Sequence, residues 1–201
     1  MEKHITFASK NLTLEGLYTK HSDTRGAIIT HPHPLYGGDM SNPVVEALVR
    51  SYNYKNITTL RFNFRGTGRS EGKHDGGLGE GQDILAAINF LVGKGITSIQ
   101  LVGYSFGSWV IAHLPEVPEE VEAMIFISPP IAFIPFRDVS TLPLLQLVIT
   151  GEEDEFAPPQ LIRQALQDWN PDARFEVIDA TDHFYYGSFN ALEDLMENFL
   201  S

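Results

Sequence analysis

The sequence predicts an α/β fold: a mostly parallel sheet with helices on both faces, preceded by an antiparallel hairpin. Two observations carry this. Short, nearly continuous apolar runs alternate with stretches whose apolar residues recur at helical spacing, and strand–helix–strand repetition of that kind gives parallel strands buried on both faces. The first two segments differ, because their polar and apolar residues alternate across a short turn, the pattern of a half-buried hairpin. With 201 residues and no repeat, low-complexity tract or linker, one domain spanning 1–201 is expected.

In chain order, HITFAS (4–9) and LTLEGLYT (12–19) form the hairpin around Lys10 and Asn11. GAIITH (26–31) is the first buried strand, and VVEALVRSY (44–52) is the helix that follows it. ITTLRFNF (57–64) is the next strand. It leads through a glycine-rich stretch, read as a flexible loop, into the helix GQDILAAINFLVG (81–93), where Ile84, Ala87, Ile88 and Leu91 share one face. IQLVGY (99–104) is a strand running straight into the helix FGSWVIAHL (106–114). The strands AMIFIS (123–128), LLQLVIT (144–150) and RFEVIDA (174–180) follow, with helices PQLIRQALQDW (159–169) and ALEDLMENFL (191–200). In an open sheet of this class a ligand site lies at the carboxyl ends of the strands.

Composition narrows the function. The chain is 43% hydrophobic and 20% charged, as in soluble globular proteins. The first residues, MEKHITFASKNLTLEG, hold no apolar stretch of a secretion signal, and no run is long enough for a membrane span. There is no cysteine, which removes disulfides, thiol nucleophiles and cysteine-ligated metals and fits a cytoplasmic protein. A net charge of −12 repels nucleic-acid phosphates and anionic lipid, so neither is an expected partner. Nothing in the sequence selects an oligomeric state.

Two segments fit Gly-x-Ser-x-Gly: GYSFG (103–107) and GRSEG (68–72). Context separates them. Ser105 lies between a strand and a helix, on a turn that exposes its hydroxyl above the sheet and needs small neighbours, which Gly103 and Gly107 supply. The N–H of Phe106 then points to where an oxyanion forms. Ser70 opens no helix, and its glycines suit tight turns. Ser105 is the expected nucleophile.

A serine hydroxyl needs a base. Of the seven histidines, His4 and His21 flank the hairpin, His74 lies in the glycine-rich loop and His113 lies in a helix. His183 follows the last strand directly, at the carboxyl edge, and is the expected base. The imidazole in turn needs a carboxylate. The strand LLQLVIT ends in GEEDEFAPP, which offers Glu152, Glu153, Asp154 and Glu155, whereas AMIFIS ends in SPP without an acid. Asp182 adjoins His183, but adjacent loop residues rarely face each other.

Together these segments resemble the α/β-hydrolases. HPHPLYGGDMSNPVV, RFNFRGTGRSEGKHDGGLGEGQD, GYSFGS, GEEDEFAPP and DHFYYGS are similar, in that order, to blocks of a small bacterial subgroup close to the serine aminopeptidase-like and dienelactone hydrolase-like branches. The resemblance covers nearly the whole chain. It implies an acid three residues beyond Gly151, which selects Asp154 and completes a Ser105–Asp154–His183 triad. It makes the loop around Ser70 a shaping element rather than a second nucleophile. It places the second oxyanion donor at the HPHP turn, where Pro32 and Pro34 have no N–H, which leaves His33 or Leu35; matching His31-Pro32 to the family's His-Gly turn favours His33.

No cofactor is implied. His31 and His33 together suggest a metal site only weakly, since no third ligand is evident, and none is expected. The sixteen-residue segment SPPIAFIPFRDVSTLP, between AMIFIS and LLQLVIT, is too short for a cap domain. Its Ile131, Phe133, Ile134 and Phe136 are either core or pocket wall. The resemblance implies a carboxylesterase, and a site without a cap favours small or accessible acyl esters. Amide or peptide hydrolysis on the same triad, and a non-catalytic small-molecule receptor, are the alternatives. Arg65, Arg69 and Arg137 are expected to be solvated or to brace loops.

Overall fold

The computed structural model describes residues 1–201. One eight-stranded sheet runs through it: β1 (Lys3–Ser9), β2 (Leu12–Thr19), β3 (Arg25–Thr30), β4 (Thr58–Phe62), β5 (Ser98–Tyr104), β6 (Val121–Ile127), β7 (Leu145–Gly151) and β8 (Arg174–Ile178), in the spatial order β1-β2-β4-β3-β5-β6-β7-β8. β1 and β2 form the expected antiparallel hairpin, β2 joins β4 antiparallel, and every other pairing is parallel. The five helices are α1 (Pro43–Tyr54), α2 (Leu78–Val92), α3 (Phe106–Ala112), α4 (Pro159–Trp169) and α5 (Phe189–Phe199). None is long and apolar enough to cross a membrane.

The continuous apolar runs are explained by two cores, one on each face. Along β5, Leu101 enters the core shared with α2, α3 and α4, while Val102 enters the core shared with α1 and α5. Ile28 and Ile29 of β3 divide in the same way. Side chains alternate faces along a strand, so both sets of positions must be apolar when both faces are covered.

Chain order reverses at β3, which has β4 on one side and β5 on the other. The carboxyl ends of β3 and β5 therefore adjoin at a topological switch point, where a crevice opens. Residues 128–144, between β6 and β7, contain no helix or strand, so no cap covers that crevice.

Two local expectations need correction. Helix α2 begins at Leu78 rather than Gly81, because the buried Glu80 carboxylate accepts the N–H groups of Asp75 and Gly77 and so extends the first turn. The glycine-rich loop is not loose. Ser70 is buried, and its hydroxyl accepts from Glu15 N–H at 3.0 Å and donates to Asn63 C=O at 2.7 Å. Arg65 pairs with Asp83 at 2.7 Å and Arg69 with Glu15 at 2.9 Å, so both arginines brace this loop. Arg137 is exposed.

Candidate active site

Ser105 occupies the turn between β5 and α3 at φ 51° and ψ −117°, a conformation that costs a non-glycine residue about 1–3 kcal/mol. Its surroundings enforce it. Ser105 N–H donates to Ile127 C=O on β6, and Ser105 C=O accepts from the Ser108 N–H and hydroxyl. A side chain on Gly103 would collide with the Ser108 backbone, and one on Gly107 would collide with Thr30 on the adjoining strand. The small neighbours that the motif requires are thus what lets the helix start this close to β3.

The elbow delivers Ser105 Oγ to within 2.9 Å of His183 Nε2. On the far side, His183 Nδ1 lies 2.9 and 3.0 Å from the two Asp154 carboxylate oxygens. Because a carboxylate only accepts, Nδ1 carries the proton and Nε2 is left to accept from the serine hydroxyl. His183 is fixed at its backbone as well, where its C=O accepts from Tyr104 O–H at 2.8 Å.

Asp154 is 2% exposed. One carboxylate oxygen, Oδ1, also accepts from Phe156 and Ala157 N–H at 2.9 and 2.8 Å. Burial raises its pKa, but the His183 hydrogen bond and charge, the Ser128 hydroxyl and the Ala157 N–H outweigh burial and hold the carboxyl below its ordinary value. Ser128 is itself paired with Tyr185 O–H at 2.8 Å. Glu152 and Glu153 are exposed, with Glu152 accepting from Ala180 N–H, and Asp182 accepts from Phe184 N–H. None of these three faces His183 Nδ1.

HPHP forms a tight turn after β3, with a 3₁₀ turn at Pro34–Tyr36. Leu35 N–H donates to His33 Nδ1 at 3.2 Å, so it is already engaged. His33 N–H has no partner within the chain, and Phe106 N–H, at the first position of α3, has no acceptor within its helix. Both residues line the crevice with Ser105.

His31 is not a metal ligand in waiting. Its ring is fully buried, with Nδ1–H donating to Pro32 C=O at 2.7 Å and Nε2 accepting from Phe64 N–H at 3.1 Å. Burial pushes its pKa down from 6.5 to about 4, against weaker upward pulls from Pro32 C=O and Asp39. The unfolded chain therefore takes up this proton near pH 6.5 and the folded chain only near pH 4. Stability is complete above 6.5 and falls as pH drops through this window. The expected loss between pH 7 and pH 5 is about 2 kcal/mol from this residue. Urea unfolding of the wild type and of His31→Gln, at both pH values, measures it as the difference in pH sensitivity. An equal sensitivity in the two proteins would show that His31 titrates normally.

The crevice encloses a cavity of about 350 Å³. Its apolar lining includes Tyr36, Phe106, Phe133, Ile134, Phe156 and Phe184, and no Lys, Arg, Asp or Glu faces it. The segment between β6 and β7 divides between the two roles expected of it: Phe133 is pocket wall, Phe136 is buried against Trp169, Ile131 packs on the core, and Ile134 does both, lining the pocket and packing on the core. Sequence reasoning missed Tyr36, Phe156 and Phe184. Their one sequence signal was an aromatic residue close to each strand-end motif, in HPHPLY, GEEDEF and DHFYY.

No protein-family model matches the chain. An uncharacterized protein of Rickettsia prowazekii is 32% identical over 193 residues, which cover 90% of this chain and 81% of the relative. Among solved structures, an alpha-beta serine hydrolase homologue from Coxiella burnetii superposes with a TM-score of 0.90 at 28% identity, over 99% of this chain and 97% of that one. A serine hydrolase without lid from Xanthomonas campestris gives 0.88 at 28% identity, over 98% and 92%. A protein of unknown function from Agrobacterium tumefaciens, proposed to be an alpha/beta hydrolase, gives 0.86 at 30% identity, over 100% and 94%. With its strand order, its elbow serine and its uncovered crevice, the chain belongs to the α/β-hydrolase superfamily, among the members without a lid.

Proposed function

We propose that Ser105, His183 and Asp154 act as nucleophile, base and orienting acid, and that the protein hydrolyses carboxylic esters of small molecules through an acyl-enzyme. The observation that carries this reading is the unbroken chain from Ser105 Oγ through the His183 imidazole to the Asp154 carboxylate. His183 Nε2 takes the Ser105 proton as Oγ bonds to the ester carbonyl carbon. The carbonyl oxygen becomes an oxyanion held by the N–H groups of Phe106 and His33. The carbon–alkoxy bond then breaks, and the alcohol leaves with the proton from Nε2. Water, deprotonated by the same nitrogen, attacks the acyl carbon, and release of the carboxylic acid restores Ser105.

An ester is favoured over a peptide because no charged side chain lines the crevice to hold a peptide terminus. Mixing the protein with p-nitrophenyl butyrate should release p-nitrophenolate in a stoichiometric burst followed by slower steady turnover. Release that is linear from the start and leaves no acylated protein would contradict the covalent route. Butyryl p-nitroanilide offers the same acyl group on an amide, and turnover matching the ester's would make the protein an amidase.

A further inference from the structure

We infer that the acyl group this site takes is an uncharged aryl or short arylalkyl group. The inference rests on the acyl-enzyme reading above and adds the chemistry of the acyl chain.

Charge is the first constraint. The cavity wall carries no Lys, Arg, Asp or Glu. The ionisable rings on it are His183, His33, Tyr36 and Tyr104. Burial, reinforced by the neighbouring His74 and opposed by Glu80, lowers the His33 pKa, and its Nδ1 already accepts from Leu35 N–H. Tyr104 is buried with its hydroxyl donated to His183 C=O. A carboxylate or ammonium on the acyl group would lose water here without gaining an oppositely charged Lys, Arg, Asp or Glu.

Ring geometry is the second. Phe156 lies beside the reacting centre, with its ring centroid 4.9 Å from that of His183. Phe133 stands edge-on to Phe156, at 5.6 Å and 86°, and Tyr36 stands edge-on to Phe133, at 5.7 Å and 70°. Phe184 meets Phe156 at 6.4 Å and 76°. Successive rings along this wall are therefore nearly perpendicular, and separate strand-end loops contribute them. A flat ring lying against one wall presents its edge to the next, so it obtains both favoured aromatic geometries at once. An alkyl chain in the same place gains only buried area.

Exposure and size agree. Phe133 and Phe184 are 49% and 50% exposed, and Tyr36 is 74% exposed, whereas Phe62, Phe64 and Phe126 are fully buried in the core. Rings left outside the core around a crevice mark a binding surface. A cavity of about 350 Å³ suits a ring on a short spacer rather than a long chain.

The test compares p-nitrophenyl esters that share one leaving group: 3-phenylpropanoate, hexanoate and the hemisuccinate anion. The phenylpropanoate should exceed the hexanoate about tenfold in kcat/KM, and the hemisuccinate should be slowest. Phe133→Leu and Phe156→Leu each keep an apolar wall but remove a ring, and each should bring the aryl-to-alkyl ratio towards unity. Hexanoate turnover equal to or above phenylpropanoate turnover, or a ratio unchanged in both variants, would overturn the aryl assignment while leaving the acyl-enzyme intact. Failure to turn over any of the three esters, together with no covalent capture of Ser105, would overturn both.

Discussion

Ser105→Ala is expected to lower ester turnover by about 10⁴- to 10⁶-fold, as removal of a triad nucleophile generally does, with the chain still folded. The structure explains why activity and stability separate here. The Ser105 hydroxyl makes one hydrogen bond, to His183 Nε2, while the contacts that hold the elbow all use its backbone: N–H to Ile127 and C=O to Ser108 and Trp109. Alanine keeps every one of these. Loss of one hydrogen bond costs about 1 kcal/mol, which a urea titration resolves. Ser70→Ala is the mirror image. Its hydroxyl bridges Glu15 and Asn63 inside the core of the loop, so that variant should lose about 1–3 kcal/mol of stability by leaving two buried groups unpaired. It should keep its chemistry. Turnover that survives Ser105→Ala and disappears in folded Ser70→Ala would reverse the assignment of the two serine motifs.

Asp154→Asn is expected to cost about 10⁴-fold in kcat through the wrong imidazole tautomer. The local hydrogen bonds dictate this. Oδ1 of Asp154 accepts two backbone N–H groups, from Phe156 and Ala157. In the variant that oxygen must remain the amide oxygen, which forces the amide N–H₂ into the position facing His183 Nδ1. Nδ1 then accepts, the imidazole proton moves to Nε2, and Nε2 can no longer take the Ser105 proton. Glu152→Gln and Glu153→Gln should change kcat little, since both side chains are exposed and neither reaches the imidazole. Steady-state kinetics on one ester distinguishes the three. A silent Asp154→Asn beside a large loss in Glu152→Gln or Glu153→Gln would move the acid elsewhere.

What was legible in the sequence follows from how each feature is encoded. The strands could be read because burial on both faces makes them continuously apolar, as in AMIFIS and LLQLVIT. Ser105 and His183 could be located because parallel-sheet topology brings distant strand ends to one edge, so position relative to a strand stands in for distance; the same reasoning reached GEEDE for the acid, and only the family resemblance picked Asp154 from its four carboxylates. The aromatic crevice could not be read in this way. Phe133 and Phe136 are three residues apart in one irregular segment, yet one stands at the crevice and the other is buried against Trp169. Neither period nor composition separates them, because the segment has no regular structure to impose a face. The order of the glycine-rich loop was hidden for a related reason. It depends on Glu15, which is remote in sequence, and on Asn63 and Asp83 at the two ends of the loop, side chains that become partners only when β2, β4 and α2 are assembled.

An activated Ser105 is tested by labelling the native protein with a fluorophosphonate and locating the adduct by mass spectrometry. It requires no choice of substrate. A single adduct on Ser105 is expected, abolished by prior denaturation and strongly diminished in Asp154→Asn. A folded wild-type protein that takes up no label, or takes it up at another serine, would contradict it.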